Sequence, residues 1–175
     1  MPVVDPADVD VAPADLDFEL PNVGPGPDPL ALAAVAAEHD FLVVLLQRDH
    51  HCTRCRDQVR TVADRYDEFA ARDAAVASVL PEPVERAREW AERYDPPYPL
   101  LADPDAEVGE RYGQPVRFGP LGSLSDFFGR QPEAVVVDLR DGPEAARVVY
   151  AHRGTTTFDR PSVDDLLAAV DDART

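Results

Sequence analysis

The sequence predicts an α/β fold: a sheet with a parallel centre, helices over both faces and a closing hairpin that adds an antiparallel edge. Three observations predict it. Phe41–Leu46 (FLVVLL) and Ala74–Leu80 (AAVASVL) are near-continuous apolar runs, the pattern of strands covered on both sides. Each run is followed by a helical pattern, and alternating β and α units favour a parallel sheet. Residues 134–139 and 146–151 read as two strands joined by the turn signal Asp141-Gly142.

The elements follow in order. Residues 1–16 are rich in Asp, Pro and Ala and read as an acidic tail, leaving 17–175 as the folded domain. Apolar and acidic residues alternate over 16–20, which predicts a short strand. Residues 21–29 carry too many Pro and Gly for anything but a loop, and 30–38 suit a short helix. After the first apolar run comes Cys52-Thr53-Arg54-Cys55. Beyond it Val59, Val62, Ala63, Tyr66, Phe69 and Ala70 fall on one helical face. Residues 81–94 predict a second helix, with Val84, Ala87, Ala91 and Tyr94 turned inward. Pro96-Pro97 ends it, and 98–102 read as extended. Asp103-Pro104 looks like a cap and first helical position for a brief helix to Tyr112. Residues 113–131 have no clear period and read as a long loop. Ser162 and Asp165 form a capping-box pattern before a final amphipathic helix.

The charge excludes several functions. The 175 residues hold 34 acidic against 17 basic side chains, for a net charge of −17. Every basic residue is Arg, and with acids outnumbering them two to one the sequence shows no basic stripe of the kind that neutralises phosphates, so nucleic acid is not expected as a partner. Self-repulsion of this size destabilises a compact chain at low salt, and screening relieves it. The composition fits the acidic sheath of a halophilic protein in a salt-rich cytoplasm. No run is long and apolar enough to span a bilayer, and the N-terminus lacks the basic start and apolar core of a secretory signal. A cytoplasmic protein without membrane association is expected.

In a cytosolic chain, two cysteines are more often catalytic or metal-binding than structural. Cys52 and Cys55 sit where a buried strand gives way to a helix. That spacing lets two sulfurs meet without backbone movement, and a helix N-terminus with nearby cations favours the reactive thiolate. Arg54 and Arg56, with His50 and His51, are the candidate cations. Cys52, at the helix mouth, is the expected attacking thiol and Cys55 the resolving one. A metal site stays open as an alternative, since His51, Cys52 and Cys55 with His50 or Asp49 could supply ligands. Zinc usually takes four, and no second C-x-x-C is present, so no metal or other cofactor is expected.

The stretch FLVVLLQRDHHCTRCRDQVR resembles the strand, active-site loop and helix of thioredoxin-fold proteins. It is most similar to the peroxiredoxin-like branch of the alkyl hydroperoxide reductase and thiol-specific antioxidant superfamily. Pro99-Leu100-Leu101-Ala102-Asp103, Tyr112-Gly113 and the segment from Pro132 to Asp138 extend the resemblance over about residues 16–173. It implies a thioredoxin-like three-layer sandwich, a central mixed sheet with helices on both faces. It also implies a thiol–disulfide oxidoreductase using the Cys52/Cys55 dithiol, with a thiol peroxidase as the alternative and a non-catalytic redox-sensing or metal-binding module as the second. Expected partners are a protein or small-molecule disulfide or a peroxide, together with a thiol reductant; the chain would be a monomer or homodimer.

Pro132 matches the family's cis proline, so Gln131–Pro132 is expected to be cis and to face the sulfurs. Catalytic roles are thus expected for Cys52, Cys55, Arg54 and Pro132, and substrate contacts for Gln131, Trp90 and Phe127. Two departures argue against a peroxidase. With Cys55 matched to the peroxide-reactive cysteine of peroxide-reducing relatives, Cys52 and Arg48 stand where those relatives carry Thr or Ser and Pro, and Pro132 stands near their later Arg. Arg48, Arg117 or Arg130 are the arginines that could replace it.

Overall fold

Strand β4 (Phe41–Leu46) lies at the middle of the molecule, and its composition dictates the layers around it. Successive side chains of a strand point to opposite faces. Phe41, Val43 and Leu45 enter one apolar cluster, and Leu42, Val44 and Leu46 enter the other. A strand with both faces covered cannot carry a polar alternation, so the run is unbroken.

The computed structural model describes residues 3–4, 9, 11–116 and 130–175. Its main sheet has six strands in the order β1 (Val3–Val4), β8 (Arg147–Arg153), β7 (Glu133–Asp138), β4, β5 (Ala74–Leu80) and β6 (Leu100–Ala102). Strands β4, β5 and β6 are parallel, whereas β7 is antiparallel to β4, β8 to β7, and β1 to β8. A separate two-stranded ribbon joins β2 (Glu19–Leu20) to β3 (Leu30–Ala31). The first face of the sheet packs on α3 (Thr53–Asp64), α4 (Tyr66–Ala70), α5 (Val84–Tyr94) and α7 (Val163–Arg174). The second packs on α1 (Pro13–Leu16), α2 (Leu32–Ala36) and α6 (Glu107–Arg111). This is the three-layer α/β sandwich with a mixed central sheet that the resemblance implies.

Several local expectations change. The closing hairpin reaches further inward than an edge alone: β7 lies against β4 in the sheet interior, and among the described residues β8 is covered on its outer side only at Ala151 and His152, by β1. All six residues of β7 are buried, so it needs a neighbour on each side and cover on each face. Residues 1–16, read as a tail, contribute β1 on the sheet edge and the buried Val9 and Leu16. The strand expected over 16–20 is the end of α1 followed by β2, because Leu16 turns into the second cluster. The helix after Cys55 breaks at Arg65 (φ −118°, ψ 20°), whose side chain grips Glu68 and Asp164. Asp103 does accept the amides of Glu107 and Val108, but Pro104 lies in a turn and α6 begins at Glu107. Of the loop expected over 113–131, residues 117–129 lie outside the described residues.

Gln131–Pro132 is not cis; Asp28–Pro29 is the cis bond among the described residues. The trans geometry is pinned on both sides. The Gln131 amide donates to the Pro115 carbonyl at 2.8 Å, and the Gln131 carbonyl accepts from Gln114 Nε2 at 3.0 Å.

Candidate active site

Strand β4 ends at Leu46, and a short loop delivers the chain to α3. Cys52 is the N-cap of that helix, and its Sγ accepts the Cys55 amide at 3.1 Å. A sulfur thus takes the place that a Ser or Asp oxygen usually holds, over the positive end of the helix. One turn on, Cys55 faces the first apolar cluster and is 0% exposed, against 6% for Cys52. The two are joined by a disulfide, with Cα atoms 5.2 Å apart. Both sulfurs are therefore committed to each other. Among the described residues no group of three or more His, Cys, Asp or Glu is placed to hold a metal ion.

The cation at the sulfurs is Arg160, a residue that sequence reasoning missed. Its Nη2 lies 2.9 Å from Cys55 Sγ and 3.4 Å from Cys52 Sγ. Nη1 donates to Gln47 Oε1 at 3.2 Å and Gln58 Oε1 at 2.8 Å, and Nε to the Thr157 carbonyl at 2.9 Å. A guanidinium has five N–H donors in a fixed fork, and each has a target here. None of these targets is a carboxylate, and among the described residues Arg160 makes no salt bridge. Burial, helped by the nearby charge of Arg48, pushes its pKa down to about 10. The positive charge is held against a desolvation cost, with two sulfurs where a counter-ion would stand. The Arg48 amide adds a further donor to Cys55 Sγ at 3.4 Å.

An open cleft of about 460 Å³ leads to Cys52. Arg48, Asp49, His51, Arg54, Thr157 and Phe158 are among its walls. Thr157 Oγ1 is 3.5 Å from Cys52 Sγ. Phe158 is 68% exposed at the rim, and the Arg54 guanidinium stacks over its ring at 4.6 Å.

The other expected site residues have different places. Arg54 points along the rim, with Asp57 at 3.7 Å, rather than to the sulfurs. Arg56 donates to the His50 carbonyl at 2.7 Å, and the His50 ring is held by Glu82 at 2.6 Å and Arg86 at 2.9 Å. These groups brace the active-site loop against α5. Trp90 belongs to the same brace: it is buried, and its indole N–H donates to the His50 carbonyl at 3.1 Å. It packs in the core and does not wall the cleft, because its only polar group is spent on the loop. Gln131 is buried with its backbone bonded as above, and it too is absent from the cleft walls. Pro132 is buried under Gly154, whose amide donates to the Pro132 carbonyl at 2.8 Å. Phe127 and Arg117 lie outside the described residues.

A model of the AhpC/TSA family matches residues 10–140. No curated protein matches the chain in sequence. Among solved structures, peroxidoxin BcpB of Mycobacterium tuberculosis is 23% identical, with a TM-score of 0.73 over 95% of this chain and 97% of that one. Peroxiredoxin Q of Xanthomonas campestris is 19% identical, with a TM-score of 0.74 over 96% and 98%. A protein of Chlorobium tepidum described as a putative thiol:disulfide interchange protein DsbE is 17% identical, with a TM-score of 0.63 over 88% and 93%. These likenesses establish the fold.

Proposed function

The chain belongs to the AhpC/TSA family and is a thiol-based oxidoreductase, and from that premise we propose that it is a peroxide-reducing enzyme whose cycle closes on the Cys52–Cys55 disulfide. The observation that carries this reading is the Arg160 guanidinium, set on both sulfurs without a carboxylate partner. The sequence lacked the later arginine of peroxide-reducing relatives. Arg160 supplies a cation at the sulfurs from a different part of the chain.

In the reduced protein a thiolate becomes the anion in direct contact with Arg160, beside the more distant charges of Asp49 and Asp57. Cys52 is the attacking group, since it lines the cleft and caps the helix. Its thiolate attacks one peroxide oxygen; the O–O bond breaks, the leaving alkoxide or hydroxide takes a proton, and Cys52 becomes a sulfenic acid. Cys55, deprotonated, then attacks Cys52 Sγ and expels hydroxide, which leaves as water once protonated. The product is the disulfide seen here. Two external thiols, supplied by a reductant, restore the dithiol and are themselves oxidised. Arg54, Thr157 and Phe158 hold the substrate at the rim. Pro132 acts from beneath, by supporting the loop that carries Arg160.

A second reading is thiol–disulfide exchange with a protein or small disulfide, in the same dithiol. The exposure difference between Cys52 and Cys55 favours it equally, because exchange needs one accessible and one sheltered sulfur. The chain is proposed to work in a salt-rich cytoplasm, away from nucleic acid and membranes, as a monomer or homodimer. Among the described residues no helix is long and apolar enough to cross a membrane.

Stopped-flow mixing of the reduced protein with hydrogen peroxide and with an alkyl hydroperoxide tests the first reading. Fast disulfide formation is expected, abolished in Cys52→Ser and arrested at the sulfenic acid in Cys55→Ser. Oxidation no faster than that of a free thiol would reject the peroxidase. Mixed disulfides accumulating on Cys52 of Cys55→Ser would then support exchange.

A further inference from the structure

Arg160 is not on a helix or a strand. It stands on the segment 154–161, between β8 and α7, and such a segment needs something to hold a half-buried charge against two sulfurs. The residue before it provides that hold. Asp159 Oδ1 meets His152 Nε2 at 3.0 Å, and His152 is buried on β8. Asp159 Oδ2 accepts both the Thr155 amide at 2.8 Å and the Thr155 hydroxyl at 3.0 Å. The Asp159 amide donates to the Thr156 carbonyl at 3.1 Å. Every atom of that carboxylate is engaged within the segment or with the strand beneath it, and none reaches a sulfur.

The floor of the segment is equally constrained. Gly154 donates to Pro132, and a Cβ added at Gly154 would lie 2.7 Å from the Asp159 carbonyl oxygen and 2.8 Å from Pro132 Cγ. A contact that close has no room for a side chain, so glycine is required by approach rather than by conformation. The segment is thus drawn onto β7 at one end and clamped to β8 by Asp159 at the other. Arg160 leaves the clamp in one direction, toward Gln47, Gln58 and the sulfurs.

We propose that Asp159 is a positioning residue: with His152 and Thr155 it forms a clamp that aims Arg160 at the Cys52–Cys55 pair. The proposal rests on the reading that Arg160 stabilises the reactive thiolate. Asp159 itself does no chemistry. Its loss releases the segment, lets the guanidinium swing to solvent or to the acidic surface, and leaves the thiolate without its partner.

The test is a double-mutant cycle on the full chain. The thiol pKa of the reduced parent is first read from ultraviolet thiolate absorbance against pH. The thiolate fraction of each variant is then followed, by absorbance and by iodoacetamide alkylation rate, at one fixed pH well below that value, where the fraction scales with the pKa. Arg160→Ala is expected to lower the thiolate fraction about tenfold, the fall that a one-unit rise in thiol pKa produces. Asp159→Ala is expected to lower it in the same sense, and Asp159→Ala/Arg160→Ala to match Arg160→Ala alone. Non-additivity of that kind is the mark of two residues acting through one contact. If Arg160→Ala moves the thiolate signal and Asp159→Ala leaves it at the parent value, or if the two effects add, the clamp is overturned while the role of Arg160 stands. If Arg160→Ala moves nothing, the reading beneath the proposal fails and the clamp with it. Should Asp159→Ala not fold, Thr155→Val removes one clamp hydrogen bond from an exposed position. A smaller fall of the same sign is then expected, and an unchanged signal overturns the proposal.

Discussion

One half-buried charge, Arg160, and one buried charge, Glu133, govern the residue scale, and they behave in opposite ways. Arg160 is costly to bury and has no anion in contact with it until a disulfide opens. It therefore stabilises the reduced state more than the oxidised one. Arg160→Met is expected to make the reduction potential more negative, measured by equilibration with a thiol–disulfide buffer; an unchanged or more positive potential would remove Arg160 from the chemistry. Glu133, at the start of β7, is buried with Arg153 Nε at 2.9 Å. Burial pushes its pKa up to about 7, and the Arg153 charge only partly opposes this. A raised folded-state pKa means that the folded chain keeps a proton which the unfolded chain gives up near 4.5. The contribution to stability is complete below about pH 4.5 and is lost as pH rises through about 7. Denaturant unfolding at about pH 5 and about pH 8 should show this loss in the parent and less of it in Glu133→Gln. Equal pH slopes would show that Glu133 ionises as freely in the fold as out of it.

The element scale shows how little the helices owe to propensity alone. Helix α3 starts on a sulfur cap, and α7 starts on a full capping box. There Asp165 N donates to Ser162 Oγ at 3.1 Å, and Ser162 N to Asp165 Oδ2 at 2.9 Å. Since α7 follows directly on Arg160, its N-terminus anchors the end of the active segment. Ser162→Ala is expected to cost about 1 kcal/mol of unfolding free energy, the usual value of such a cap. A change under about 0.3 kcal/mol would mean that packing of Val163, Leu166, Leu167 and Val170 holds the helix start without it. Strand β7 illustrates the reverse case. Its interior place beside β4 follows from six buried residues in a row, whereas the edges of the sheet are the short β1 and β6. Short edges limit the unpaired backbone offered to other chains.

At the scale of the whole molecule, the net charge of −17 opposes compaction. Ion pairs between Arg65 and Asp164 and between Arg72 and Asp171 tie α7 to the α3–α4 region. Exposed pairs contribute only about 0–1 kcal/mol each, so they do not offset a twofold excess of acid. Salt weakens these pairs but weakens the wider repulsion more. The thermal midpoint is therefore expected to rise between about 0.1 M and about 1 M potassium chloride, where the Debye length falls from ~10 to ~3 Å. A midpoint that stays flat or falls would show that local pairs outweigh the net charge.

The sequence by itself determined the strands β4 and β5, the helix that begins at the dithiol, the Ser162 capping box and the Cys52–Cys55 pair. All are written in contiguous residues, whose periodicity and spacing act over a few turns. Only the tertiary structure decided which cation meets the sulfurs. Arg54 and Arg56 are neighbours in the chain, but a helix turns their side chains to the rim and to His50. Arg160, more than a hundred residues beyond Cys52, arrives because two antiparallel steps make β8 run in the same direction as β4. The segment after β8 therefore emerges at the end of the sheet where the dithiol sits. Trp90 and Gln131 were misplaced for the same reason: whether a side chain faces a cleft or a core is a property of the packed layers, not of its neighbours in sequence.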